Sequence, residues 1–262
     1  MTLTRALLLL PLALALAGCE TLSYYAQAIG GHFDLTGRAR PVAELLADSD
    51  TPADLRERLA LARSVREFAS RHLGLPDNGS YRSYTDLGRP YAVWNVVATP
   101  EFSLEPVQSC FPVAGCVTYR GFFSREDAER HAGRLRERGL DGFVYGVPAY
   151  STLGVFDDPL LSTFIRWPDT ELARLVIHEL AHQVVYVKGD STFNESFAVA
   201  VEREGVRRWL AAVGRPAELA RYREARERER EFGQLLDETR ARLTTLYRMR
   251  IAPEEMRTRK RA

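Results

Sequence analysis

The sequence has almost no net charge. Its 36 basic residues face 35 acidic ones, a formal +1 with histidine neutral. That balance excludes nucleic-acid binding driven by the field of the whole chain. Lysine is nearly missing too: Lys188 and Lys260 are the only two, so the basic charge is arginine. The apolar run from Ala6 to Ala17 is too short to cross a bilayer as a helix of ~20 residues. Cysteine is scarce, at three residues, and no internal repeat is present. The rest is ordinary. With 45% hydrophobic and 27% charged residues, the chain is neither disordered nor collagen-like. Its 262 residues suit one large domain or two small ones with a sizeable core.

Charge is nevertheless uneven. Residues 205–262 carry 16 basic against 9 acidic side chains. Because acids interleave with bases there, a solvated helix laced with pairs three and four apart is expected, not a nucleic-acid surface.

The first residues read as an address. Arg5, the apolar run and Leu16-Ala17-Gly18-Cys19 follow the order of a signal peptide. The ending resembles a bacterial lipobox, in which the cysteine is lipidated and becomes the mature N-terminus. The alternative is an ordinary signal peptide with an incidental cysteine. Residue 20 is Glu rather than Asp, which by the same resemblance favours the outer membrane. If Cys19 carries lipid, Cys110 and Cys116 remain as a pair bracketing a short Pro- and Gly-containing loop. An oxidising compartment would join them in a disulfide; two metal-ligating or two inert thiols are the alternatives.

Residues 19–40, with Gly30, Gly31 and Gly37, read as a loosely packed tether. Thr51-Pro52 then opens a helix to about His72, ended by Gly74 and Pro76. Tyr91 to Ala98, Cys116 to Phe123 and Gly142 to Val147 are predicted strands, with a charged helix from Arg125 to about Arg138 before the last. Three helices follow: Thr170 to Lys188, Asn194 to Leu210, and Pro216 to about Arg250. The fold class is α+β, a small sheet with a helix-rich C-terminal half.

The chemistry concentrates in His178-Glu179-Leu180-Ala181-His182. On a helix, residues four apart share a face, with Cβ atoms about 6 Å apart. Two imidazoles so placed can reach one zinc, and Glu179 can serve as general base beside it. The pattern alone also fits surface or core histidines. A third ligand raises its meaning: Glu195 lies far enough on for the chain to turn and return antiparallel. The rival reading has Thr192 and Glu195 as a local capping box. Asn194 and Glu202 are placed behind the ligands. Glu202, seven residues after Glu195, can accept the outer N–H of a ligand histidine, or can be merely an exposed side chain.

His178-Glu179-x-x-His182 followed by Asn194-Glu195 resembles the gluzincin metallopeptidases. A closer resemblance is to a bacterial family of predicted aminopeptidases, often lipoproteins. It rests on Cys110-Phe111-Pro112-Val113, Gly115-Cys116-Val117, Tyr119-Arg120-Gly121, Ala149-Tyr150-Ser151-Thr152-Leu153-Gly154, Asp158-Pro159 and Phe193-Asn194-Glu195-Ser196-Phe197-Ala198. The resemblance implies a zincin-like domain over residues 41–262, after a signal peptide at 1–18 and the tether. It also implies one zinc ion, peptide substrates and a lipid anchor in the cell envelope, facing the periplasm. Zincins bind extended substrate on an edge strand beside the metal helix. That role falls on Val144 to Leu153, with Tyr150, Ser151, Thr152 and Gly154 as substrate contacts. Family members continue beyond this C-terminus, so a C-terminally truncated domain is expected. The competing reading is a non-catalytic envelope lipoprotein whose metal site is structural.

Overall fold

A computed structural model describes residues 22–111 and 115–261. The signal-peptide and Cys19 expectations lie outside the described residues. The first described element is helix α1, residues 22–37. It corrects the expected tether. The glycines suggested looseness, but Tyr24, Gln27, His32 and Leu35 recur at helical spacing and turn one face inward. His32 and Leu35 are buried, and Gln27 accepts a hydrogen bond from the Phe123 N–H at 3.0 Å. Gly31 lies so close to the Phe123 ring that a side chain there would collide with it.

Strand β1 (Arg40–Pro41) and helix α2 (Val42–Ala47) lead to α3 (Ala53–Leu73). α3 starts after Pro52 and ends at Gly74, whose φ of 69° lets its N–H turn back to Ala69. Strand β2 (Ser83–Thr85) pairs antiparallel with β1 and parallel with β8 (Leu160–Leu161). A second sheet centres on β3 (Val93–Pro100), flanked antiparallel by β6 (Arg120–Phe122) and β7 (Leu140–Val147). The strand predicted over Cys116 to Phe123 is split at Thr118-Tyr119: its first part is β5 (Gly115–Val117), which pairs with β4 (Ser109–Phe111). Cys110 faces Cys116 in that ribbon and a disulfide joins them, as expected.

Helix α4 (Arg125–Glu137) is capped by Ser124, which accepts from the Asp127 N–H at 3.2 Å. It packs on the second sheet around Val96, Phe122, Ala128 and Ala132. The larger core lies between α3, α5 (Asp169–His182) and α6 (Ser191–Ala212). Leu172, Val176, Ile177 and Leu180 of α5 are fully buried in it, each worth ~1.5–3 kcal/mol by area. Gly205 lets α6 approach closely: a Cβ there would lie 2.8 Å from Leu73 and 2.9 Å from Ile177.

Helix α7 (Pro216–Tyr247) is the Arg/Glu-rich segment, three residues shorter than predicted, and Tyr222 is its one buried residue. Helix α8 (Pro253–Arg261) folds back so that Arg257 pairs with Glu101 at 2.6 Å, beyond the end of β3. Among the described residues no helix is long and apolar enough to cross a membrane. The class is α+β, mostly helical with small sheets.

Candidate metal centre and its surroundings

Helix α5 carries both histidines, and it stops sooner than its composition suggests. It ends at His182 instead of continuing to Lys188. Val184, Val185 and Val187 are β-branched and favour extended backbone. Asn194 then takes Val187 out of any helical ladder: its Oδ1 accepts from the Val187 N–H at 2.8 Å and its Nδ2 donates to the Val187 carbonyl at 2.9 Å. Gly189, at φ 85°, turns the chain, and Asp190 caps α6 by accepting from the Phe193 N–H at 2.9 Å. Asp190, not Thr192, is therefore the cap, so the capping-box alternative for Glu195 does not hold. Asn194 touches backbone rather than a ligand, which corrects its expected place behind the histidines.

The result brings His178, His182 and Glu195 together. The two Nε2 atoms are 3.1 Å apart. Glu195 places one oxygen 3.4 Å from His178 Nε2 and the other 3.6 Å from His182 Nε2. Ligands ~2.0–2.1 Å from a tetrahedral zinc stand about 3.3–3.4 Å from one another. The separations here are close to that figure, though the two histidines meet different oxygens of Glu195, and the N, N, O donor set suits zinc and its first-row neighbours. The residues present fit the ion that the sequence pattern implies.

The electrostatics divide the two histidines. Burial disfavours the imidazolium of His178, yet the hydrogen bond to Glu202 and the charges of Glu179, Glu202 and Glu195 outweigh it, raising the pKa. Burial and the neighbouring His178 lower that of His182, against the pull of Glu195. Glu202 is buried, not an exposed side chain, and its Oε2 lies 2.7 Å from His178 Nδ1. With Nδ1 on Glu202, Nε2 is the nitrogen that faces Glu195 and His182.

Glu179 is half-buried. Burial raises its pKa, while His178 and a hydrogen bond with Ser151 act the other way. Ser151 comes close to Glu179, but its hydroxyl donates to Asp158 at 3.3 Å. The other expected substrate contacts are placed differently. β7 ends at Val147, so no strand continues to Leu153. Residues 149–152 run irregularly without strand pairing and lead into a turn at Leu153 and Gly154, both at positive φ. Tyr150 directs its hydroxyl to His32 Nδ1, 3.5 Å away, and its ring to Phe123. Thr152 is occupied internally, donating to Asp158 from both N–H and Oγ1 at 2.8 Å. Gly154 packs against Gln183, the residue after His182.

A sequence model of a family described as "putative aminopeptidase" matches residues 23–262. The chain belongs to that family. No curated protein and no solved structure matches it.

In this member of the aminopeptidase family, several site residues carry no signal in the sequence. Asp158 is 1% exposed and accepts from Ser151 and Thr152, so it fixes the loop that reaches Glu179. Tyr81 is buried within the field of Glu179 and Asp158, and burial drives its pKa up. Burial also raises the pKa of Tyr119, with Tyr145, Glu195, Tyr186 and Glu179 adding to the effect. Arg174 sits against Glu202 at 3.2 Å. Asp158 and Tyr119 fall within the stretches that carry the family resemblance, but nothing in their spacing marks a role.

Proposed function

We propose that this protein is a zinc metallopeptidase, an aminopeptidase of zincin-like design. It would hydrolyse peptide bonds in the bacterial cell envelope while held to the membrane, through lipid on Cys19, at the outer membrane facing the periplasm. The observation that carries the chemistry is the convergence of His178, His182 and Glu195 with Glu179 one residue from the first ligand. Removal of N-terminal residues is taken from the family alone. Zinc bound there would supply Lewis-acid polarisation of a carbonyl and a more acidic water. With the ion held by His178, His182 and Glu195, Glu179 would be the group placed to accept a proton from the attacking water and to give it to the departing amine. Ser151, held by Asp158, lies beside the Glu179 carboxyl, and Glu202 would fix the tautomer of His178. A non-catalytic scaffold would have no use for a carboxyl at that position. The envelope assignment is supported by the order of apolar run, small residues and cysteine before residue 20.

A peptide-library digest of the full chain, read by mass spectrometry with and without zinc chelation, tests this reading. Stepwise loss of N-terminal residues, abolished by the chelator and restored by zinc, is the expected result. Internal cleavage would retain the metallopeptidase and remove the aminopeptidase; cleavage indifferent to chelation would remove both.

A further inference from the structure

Behind the ligand His178 the contacts do not stop at Glu202. Glu202 is 3% exposed, and a carboxylate so deeply placed needs its oxygens answered. One oxygen takes His178 Nδ1 at 2.7 Å; the other lies 3.2 Å from Arg174 Nε. Arg174 stands one turn before His178 on α5, so the same helix face presents both to α6. Its guanidinium is held in turn by Glu171 of α5 at 3.1 Å and Glu229 of α7 at 3.4 Å. Arg226 of α7 closes the ring, 2.6 Å from Glu229 and 3.3 Å from Glu171. Helix α7 is otherwise a mostly exposed helix with one buried residue, so this cluster is a main point at which it meets α5.

We infer that Arg174 is a positioning residue for the metal centre, which ties ligand His178 to helix α7 through Glu202. The inference rests on the reading that His178, His182 and Glu195 hold a divalent ion. The physical argument is geometric. A carboxylate can grip an imidazole N–H in one orientation only if its second oxygen is also pinned. The Arg174 Nε–H pins it, and the guanidinium is itself fixed by carboxylates from two helices. Without Arg174, Glu202 keeps a buried oxygen with no partner and gains freedom to rotate. His178 then loses the bond that orients its ring and keeps Nε2 available. Direct outer partners of ligand histidines are worth 10–100-fold in metal affinity. Arg174 acts one contact further away and should lie at the lower end of that range.

The test is zinc affinity of the full chain, purified in detergent, by competition with a chromophoric chelator. Melting of the metal-free protein is measured alongside. Arg174→Gln is expected to raise the zinc Kd about 10-fold. Arg215→Gln is the control: it breaks the pairs of Arg215 with Asp169 and Glu218, also near the start of α5 and α7, without touching Glu202. It should leave zinc affinity unchanged even if it lowers the melting temperature. If Arg174→Gln does not fold, Glu229→Gln replaces it, with an expected rise in Kd of about 3-fold. Wild-type affinity in the Arg174 or Glu229 variant overturns the inference. Equal losses in the Arg174 and Arg215 variants overturn it too, because they would reflect stability alone. A wild-type chain that binds no zinc overturns the metal reading itself, a distinct failure visible before any variant is compared.

Discussion

Asn194 grips Val187 from both sides, accepting from its N–H at 2.8 Å and donating to its carbonyl at 2.9 Å. This pair of bonds decides where Glu195 goes. It ends the excursion after α5 and sets the first turn of α6 against it, so that the next residue faces the two histidines. Asn194→Ala leaves the Val187 N–H to find a new partner, while the Val187 carbonyl keeps the Asp190 N–H. The expected outcome in denaturant unfolding is a loss of about 1–2 kcal/mol, together with weaker zinc retention. Unchanged stability and zinc content would mean that the loop after α5 is held by other contacts.

Asp158 anchors the loop that carries Ser151. Thr152 donates to it twice and Ser151 donates once, at 3.3 Å. Asp158→Ala should free residues 151–157, which are intermediate to exposed on the surface. Limited proteolysis should then cut near Leu153 to Phe156, where the native protein resists. Peptide hydrolysis should fall at least ~10-fold, since misplacing a catalytic group by about 1 Å can cost 10²-fold. Resistance equal to the native protein would show that Tyr150 packing holds the loop alone.

Gly205 stands where α6 crosses Leu73 and Ile177. Gly205→Val would drive a branched side chain into both neighbours. Overpacking of this kind costs ~1–3 kcal/mol, and here it pushes α6, with Glu195 and Glu202, away from α5. The predicted outcome is a lower melting temperature and weaker zinc binding together. A stable variant with intact zinc affinity would contradict the close crossing.

The start of α5 gives a pH dependence. Burial disfavours ionised Asp169, but hydrogen bonds from Arg58 and Arg215 outweigh it and lower the pKa below the ordinary carboxylate value. For a group with a depressed folded pKa, the stabilisation is fully present above the unfolded pKa of ~4 and is lost as pH falls through the folded one. Asp169→Asn should therefore be less stable than the native chain at pH 7. The gap should narrow below about pH 4 and close once Asp169 protonates in the folded state. A gap that stays constant from pH 7 down would show that the asparagine simply packs differently.

Much of the site could be read from the sequence, because its logic is local. Four-residue spacing on a helix brings His178 and His182 together whatever the rest of the chain does. The return of Glu195 needed only a turn, and the seven-residue step to Glu202 needed only a helix. The residues that escaped notice act across the chain. Asp158 matters because the chain turns at Leu153-Gly154 and brings Ser151 and Thr152 back onto it. Arg174 matters because α7 supplies Glu229, 55 residues away. The tether was misread for the opposite reason. Gly31 marks close approach to Phe123, a partner 92 positions on by numbering, and a glycine of that kind looks the same in sequence as a flexible one.

The account stands or falls on Glu179. Glu179→Gln keeps size and hydrogen-bonding capacity but removes the base, so the zinc-loaded variant should bind metal as the native chain does. General acid–base catalysis is worth roughly 10²–10⁴-fold. Its kcat for peptide hydrolysis, measured beside the native enzyme at equal zinc occupancy, should drop at least ~100-fold. A variant that turns over near the native rate would contradict the mechanism and leave Glu179 as a structural residue of α5.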